Sequence, residues 1–419
     1  MRRGFLKAKG KTLFDSEPPS AKQEPPIRIV EKIPFGKVED AGIPDGYDGS
    51  SKLKYQQNDS RKIDYDDNYL VYTTVPMGFT HKADDPDGHS ECIIHGPTKA
   101  KIVNTPGYPC TIPKPRRPNM CVIKPVADMG LGVFATCNIK VGELIFSERP
   151  LLVAPRAMEA PTKPPVSSNF TIDQQKQIAM YEFEKVLQCA VGRMSAERRA
   201  ALMALANSHK EDGSGPILGI MRTNGFSIAT ELGDGPAPAP GQEYPSERSY
   251  SAICDMGSRI NHSCMPNVTT SFMLSSFSMQ FVASREIKAG EQLFYSYCGV
   301  VQSAADRQEE LAPYGFECKC PACANATPER DRLRIEFQDK VLGLVRDVSW
   351  MRYPPDRDFL GRMLRYDQDV VAEGLNSQRM YRFVASIIGH LLTQLGMNQQ
   401  AKRYLELEQA WKEIMKDRS

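Results

Sequence analysis

Residues 259–268 read RINHSCMPNV: Asn261, His262, Ser263, Cys264 and Pro266 crowd between the apolar flanks Ile260 and Val268. Polar side chains that bond their own backbone, followed by a proline, disfavour a helix and suit a tight crossing of the chain; an ordinary Asx turn is the plainer alternative. Further on, residues 290–299, GEQLFYSYCG, read as a strand on which Tyr295 and Tyr297 stand two apart, so that both rings project from one face. Such a pair either lines a narrow aromatic pocket or is unremarkable core. Upstream, residues 129–135, MGLGVFA, carry Gly130 and Gly132, which permit close backbone approach to a ligand, although a turn is the usual cause of a lone G-x-G.

Downstream, residues 316–323, FECKCPAC, bring Cys318, Cys320 and Cys323 together. Thiolates at that density repel unless a cation neutralises them, and zinc is the ion that all-thiolate sites favour. Tetrahedral zinc needs a fourth ligand from elsewhere, and the setting of Cys264 makes it the choice. The alternative is a redox-active or incidental group of thiols.

The 419 residues carry 53 Lys plus Arg against 51 Asp plus Glu, a formal charge of +2. No chain-wide basic field argues for nucleic acid or an anionic membrane, so direct binding to either is not expected. Hydrophobic residues make up 41% and charged residues 25%, a globular composition. No apolar run reaches the length of a membrane helix. The opening MRRGFLKAKGK lacks a hydrophobic h-region, so an intracellular location, nucleus or cytoplasm, is expected. In a reducing compartment the 11 cysteines read as free thiols or metal ligands.

Pro and Gly make up about a fifth of residues 1–118 and about an eighth of the rest, so the first segment is expected to be largely irregular. Within it, 65–79 (YDDNYLVYTTVPMGF) suits a short docking strand, and His89, Cys92 and His95 read as loop residues more readily than as a metal site. From Met120, short β-type runs alternate with Gly, Asp, Asn and Lys, the pattern of hairpin-linked strands. Residues 173–207 switch to helical spacing, with Ser195 as an N-cap, and 233–246 form a Pro/Gly-rich loop. VTTSFML and FSMQFVA read as paired strands joined at Ser275 and Ser276. Beyond 326 the pattern is helical, opening on Thr327 and Pro328, with His390 expected as a hydrogen-bonded core histidine.

The order MGLGVFA, GELIF at 142–146, RINHSCMPN, GEQLFYSY and CKCPAC resembles the SET domain of protein lysine methyltransferases with its zinc-binding post-SET segment. The likeness covers about 120 to 326. It is nearest to the SET and MYND branch, with a helical C-terminal extension but without the Cys/His-rich MYND finger, as in fungal SET proteins of that kind. The resemblance implies an α+β fold of small twisted β-sheets in which the NHS and GEQLFYSY segments form a pseudoknot. It divides the chain into 1–118, a SET domain over 119–300 with a helical insertion at about 156–250, a post-SET zinc segment over 301–326, and a helical C-terminal domain over 327–419.

The activity so implied is S-adenosylmethionine-dependent protein-lysine N-methylation by a monomer. The substrate would be a histone or non-histone protein that presents a lysine. Residue by residue, Gly130, Leu131 and Gly132 match the loop that admits the cofactor's methionine end, Asn261 and His262 match its asparagine and histidine contacts, Asn224 a further contact, and Phe316 the aromatic that packs on adenine. Cys264, Cys318, Cys320 and Cys323 match the zinc ligands. Tyr297 matches the catalytic tyrosine, and Tyr295 the position tied to product multiplicity, which implies mainly monomethylation. Met129 stands where relatives often carry a basic residue. The competing class is a catalytically silent SET scaffold that binds proteins through its helical C-terminus.

Overall fold

Runs of β-branched and aromatic residues broken by Gly, Asp and Asn become short strands, because the branched side chains pack on a pleated surface and the breakers supply the turns. The computed structural model describes residues 45–47, 56–57, 62–65, 69–76, 87–156, 170–228, 232, 249–349 and 356–416. Its strands are β1 (Gln56–Gln57), β2 (Leu70–Val75), β3 (Ser90–His95), β4 (Cys121–Val126), β5 (Gly130–Ala135), β6 (Leu144–Glu148), β7 (Leu152–Pro155), β8 (Phe226–Ser227), β9 (Tyr250–Ile253), β10 (Asn261–His262), β11 (Val268–Met273), β12 (Ser278–Ala283) and β13 (Phe294–Tyr295). They form four small sheets: β1-β2-β3-β7-β9-β8, β11-β12-β6, the hairpin β4-β5, and the pair β10-β13. Helices α1 (Gly96–Val103), α2 (Ile172–Gly192), α3 (Ala196–Met203) and α4 (Pro216–Asn224) accompany the first sheet. This is the α+β arrangement of small sheets that the resemblance implied.

Strand β2 falls within 65–79, where a short docking strand was expected, and β3 lies in the part of 1–118 expected to be irregular. Val71, Val75, Ile93 and Ile94 are fully buried, and each such side chain contributes about 1.5–3 kcal/mol. That burial recruits a Pro- and Gly-rich segment into a sheet. Antiparallel to β2 and parallel to β7, β3 is buried along its whole length. Cys92 and His95 are therefore strand residues rather than loop residues, and His95 Nδ1 meets the Tyr250 hydroxyl at 2.9 Å.

The inserted helices share a core with that sheet: Phe183, Val186 and Leu187 pack with Leu70, Tyr72, Ile93 and Leu152. A capping box opens α2, where Thr171 Oγ1 accepts from Gln174 N at 3.2 Å and Gln174 Oε1 accepts from Thr171 N at 2.9 Å. Ser195 Oγ caps α3 as expected. The sequence reading missed α4, because its cap comes from elsewhere: the Glu184 carboxylate accepts from Ile217 N and Leu218 N. The loop at 233–246 lies outside the described residues.

The rest of the chain is helical: α5 (Ala304–Leu311), α6 (Pro321–Ala324), α7 (Pro328–Ile335), α8 (Phe337–Ser349), α9 (Arg357–Ala372), α10 (Tyr381–Gln394) and α11 (Asn398–Lys416). Phe337, Met363, Val384, Ile388 and Trp411 form a core that reaches Val282 of β12. A buried Arg334 joins this layer to the strands: it pairs with Glu373 at 2.9 Å and donates to Val300 O at 3.0 Å. His390 is exposed, not core; its Nδ1 lies 2.7 Å from Ser386 O, a bond along its own helix that leaves the rest of the ring to solvent.

Candidate functional site

In the polar crossing, β10 runs parallel to β13, with Asn261 opposite Phe294 and His262 opposite Tyr295. Asn267 pins the crossing from inside, its Nδ2 donating to Gln292 O at 2.9 Å while its Oδ1 accepts from Phe294 N at 2.7 Å. Because β13 ends at Tyr295, Tyr297 is not on the strand, and the period of two that put both rings on one face does not extend to it. Instead the chain turns back: the Tyr297 hydroxyl donates to Ile260 O at 2.7 Å, and Tyr297 N donates to His262 Nδ1 at 3.0 Å.

The two phenols rest against different rings, and Tyr314 interacts with both. Tyr297 packs 4.9 Å from Tyr314, and Tyr295 packs 5.4 Å from Phe226. Burial, then the Tyr314 phenol, holds Tyr297 well above the usual phenol value. Burial, then the Tyr295 phenol, raises Tyr314 in turn. Tyr314 and Phe226 are among the residues that sequence reasoning missed. Neither stands in a repeated or spaced motif, and only the fold brings them beside the tyrosine pair.

On the other side of the crossing, Asn261 Nδ2 donates to Leu131 O at 3.0 Å, which ties the MGLGVFA turn to β10. Gly130 has φ +71°, a conformation glycine adopts without strain. A Cβ at residue 132 would stand 2.6 Å from Gln292 Nε2 and 3.1 Å from Asn261 Nδ2, so glycine is what lets the strand approach the crossing. Gln292 Nε2 is buried with no hydrogen-bond partner among the described residues, a donor left facing this cradle. Phe316 is 38% exposed, and its ring lies 5.9 Å from His262. Asn224 is buried. Its Nδ2 spends both hydrogens on Ala206 O and Ile220 O, and its backbone carbonyl accepts from Ser258 Oγ.

The sulfurs of Cys264, Cys318, Cys320 and Cys323 lie within 4.8 Å of one another, with Cys264 Sγ 3.9 Å from Cys318 Sγ and 3.5 Å from Cys323 Sγ. Zinc with bonds of about 2.3 Å to four thiolates requires sulfurs about 3.8 Å apart, so the donor set fits that ion. The thiols titrate as a unit: hydrogen bonds with Cys298 first, then with Cys318, Cys320 and Cys323, drive Cys264 up, and the bond to Cys264 takes Cys323 down to about 6. Arg307, fully buried, points Nη2 at Cys323 Sγ from 3.6 Å.

Residues 130–298, which hold the glycine turn and the parallel crossing, match the SET domain family model. The chain carries a SET domain and resembles lysine methyltransferases. It is 26% identical over 203 residues to Histone-lysine N-methyltransferase set5 of Schizosaccharomyces pombe, covering 48% of this chain and 50% of that one. It is 32% identical over 124 residues to human N-lysine methyltransferase SMYD2, covering 29% of this chain and 25% of that one. The chain thus spans half or less of the length of these relatives. A solved structure concerned with the product specificity of histone lysine methyltransferases overlays with a TM-score of 0.20 at 15% identity, covering 48% of this chain and 51% of that one, too weak to say more about this chain. Among the described residues, no helix is long and apolar enough to cross a membrane.

Proposed function

We propose that this chain is an S-adenosylmethionine-dependent protein-lysine N-methyltransferase. The observation that carries the reading is the 2.7 Å bond from the Tyr297 hydroxyl to Ile260 O, which fixes a phenol against the Asn261 crossing. The glycine cradle, the Asn261 amide, the unpartnered Gln292 donor and the exposed Phe316 ring suit the polar and apolar ends of that cofactor. When bound, S-adenosylmethionine supplies a sulfonium-activated methyl group.

A free lysine amine, with a pKa near 10.4, is neutral in only about one molecule in 2,500 at pH 7. Tyr295, Tyr297, Tyr314 and Phe226 supply aromatic surroundings that disfavour the ammonium by desolvation. The Tyr297 proton is committed to Ile260, so the phenol oxygen turns lone pairs to its other neighbours and can accept from an incoming amine. Rate then comes mainly from alignment for in-line displacement. The four cysteines would hold zinc away from the reacting carbon, where it would brace the segment that bears Phe316.

Calorimetry on zinc-replete protein tests the reading: saturable S-adenosylmethionine binding is expected. Absence of binding would instead favour the silent scaffold. Substrate class follows from methylation of a whole-cell extract with labelled cofactor and mapping of the modified lysines.

A further inference from the structure

The resemblance makes His262 a cofactor contact, but both of its ring nitrogens are already engaged within the chain. Tyr297 N–H donates to Nδ1 at 3.0 Å, so Nδ1 carries a lone pair and the ring proton sits on Nε2. That N–H faces Cys264 Sγ at 3.3 Å, and Cys298 Sγ stands beside it, within 4.8 Å of the same atoms. The ring is buried and packs 5.3 Å from Tyr297 and 5.9 Å from Phe316, so it cannot turn without losing both bonds. Any polar contact with cofactor at this position falls to its backbone.

We infer that His262 is a positioning residue that couples metal occupancy of the thiolate cluster to the placement of Tyr297, a conclusion that rests on the methyltransferase reading. A cation that gathers the four sulfurs fixes Cys264 Sγ as the acceptor for Nε2–H. The imidazole then has one orientation, and its Nδ1 holds the Tyr297 backbone in register with Ile260 and Asn261. Metal ligands are commonly steadied by such outer hydrogen bonds, whose loss costs about 10–100-fold in metal affinity. Arg307 makes an outer contact of this kind to Cys323 and also interacts with Cys264, but among the described residues it bonds neither His262 nor Tyr297, which makes it the natural control.

Two substitutions separate the bonds of His262. Glutamine places an amide nitrogen near the position of Nε2 and asparagine an amide oxygen near Nδ1, so His262→Gln keeps the donor to Cys264 while His262→Asn keeps the acceptor for Tyr297. The measurement is zinc release from the full-length zinc-loaded chain to a chelating dye, with and without saturating S-adenosylhomocysteine. In the native chain the ligand should slow release about fivefold or more, within the range of measured couplings between sites. His262→Asn should release zinc about tenfold faster without ligand, whereas His262→Gln should stay near the native rate; in both, the ligand should no longer slow release. Arg307→Lys should speed release yet keep the ligand effect. Equal slowing in the native chain and both His262 variants would overturn the inference alone. Failure of S-adenosylhomocysteine to bind the native chain would overturn the methyltransferase reading and this inference with it. Should the asparagine variant not fold, His262→Gln decides by itself.

Discussion

At the scale of single residues, two phenols decide the chemistry of the pocket. Burial and the neighbouring Tyr314 phenol keep the Tyr297 hydroxyl protonated beyond the usual phenol range, so its bond to Ile260 O persists into alkaline solution. A lysine substrate meanwhile loses its proton as pH rises toward about 10.4. Methyl transfer should therefore climb through pH 10 with no falling limb from a tyrosine; a profile that collapses near pH 9 in folded protein would contradict this. Tyr295 is placed differently, against Phe226. A hydroxyl there can hold a water or the amine and leave less room for a methylated nitrogen. Tyr295→Phe should raise the dimethyl fraction, and mass spectrometry showing an unchanged product ratio would remove that role. The Tyr295–Tyr297 pair was legible from spacing, but the end of the strand was not: both were expected on one strand, and β13 stops at Tyr295, where its pairing with β10 stops.

Among the elements, local signals were the readable ones. The β4-β5 and β11-β12 hairpins and the helix starts at Ser195 and Thr327 are each specified within a few residues. What escaped depends on distant partners: β3 is held by β7, α4 is capped by Glu184 of α2, and Arg307 finds Cys323 only once α5 packs on the cysteine segment. Long-range pairing leaves little trace in composition, which is why a Pro- and Gly-rich stretch hid β3, whereas β2 falls within the 65–79 stretch that suited a strand. The cysteine segment itself gives the prediction at this scale. Among the described residues its buried core is Cys264, Leu311, Cys318 and Ala322 with six half-buried neighbours, too small to hold its shape without an ion. Chelation should expose all four thiols to an alkylating reagent and abolish cofactor binding, and readdition of zinc should restore both. Full cofactor affinity in the chelated protein would show that the segment stands without metal.

For the whole molecule, the question is what binds the helical layer to the strands. Apolar contact through Val282 contributes, but the specific link is Arg334, whose guanidinium meets Glu373 and also donates to the carbonyls of Val300 and Cys264. Removing one partner of a buried ion pair costs about 3–5 kcal/mol, because the other charge is left uncompensated. Arg334→Met should destabilise the chain by about that amount in urea titration, whereas Arg334→Met combined with Glu373→Gln should recover part of the loss. Strict additivity of the two would mean that the pair does not act as a unit.

The claim on which all three scales depend is that the pocket at the crossing transfers methyl groups to lysine. Its most direct test is the transfer of labelled methyl from S-adenosylmethionine to lysine-bearing protein by the zinc-loaded chain, run beside Tyr297→Phe. The account predicts incorporation on lysine by the native chain and a loss of about a hundredfold or more in the variant, the scale of removing one positioned catalytic group. Equal incorporation by both, or none by a native chain that binds the cofactor, would contradict it.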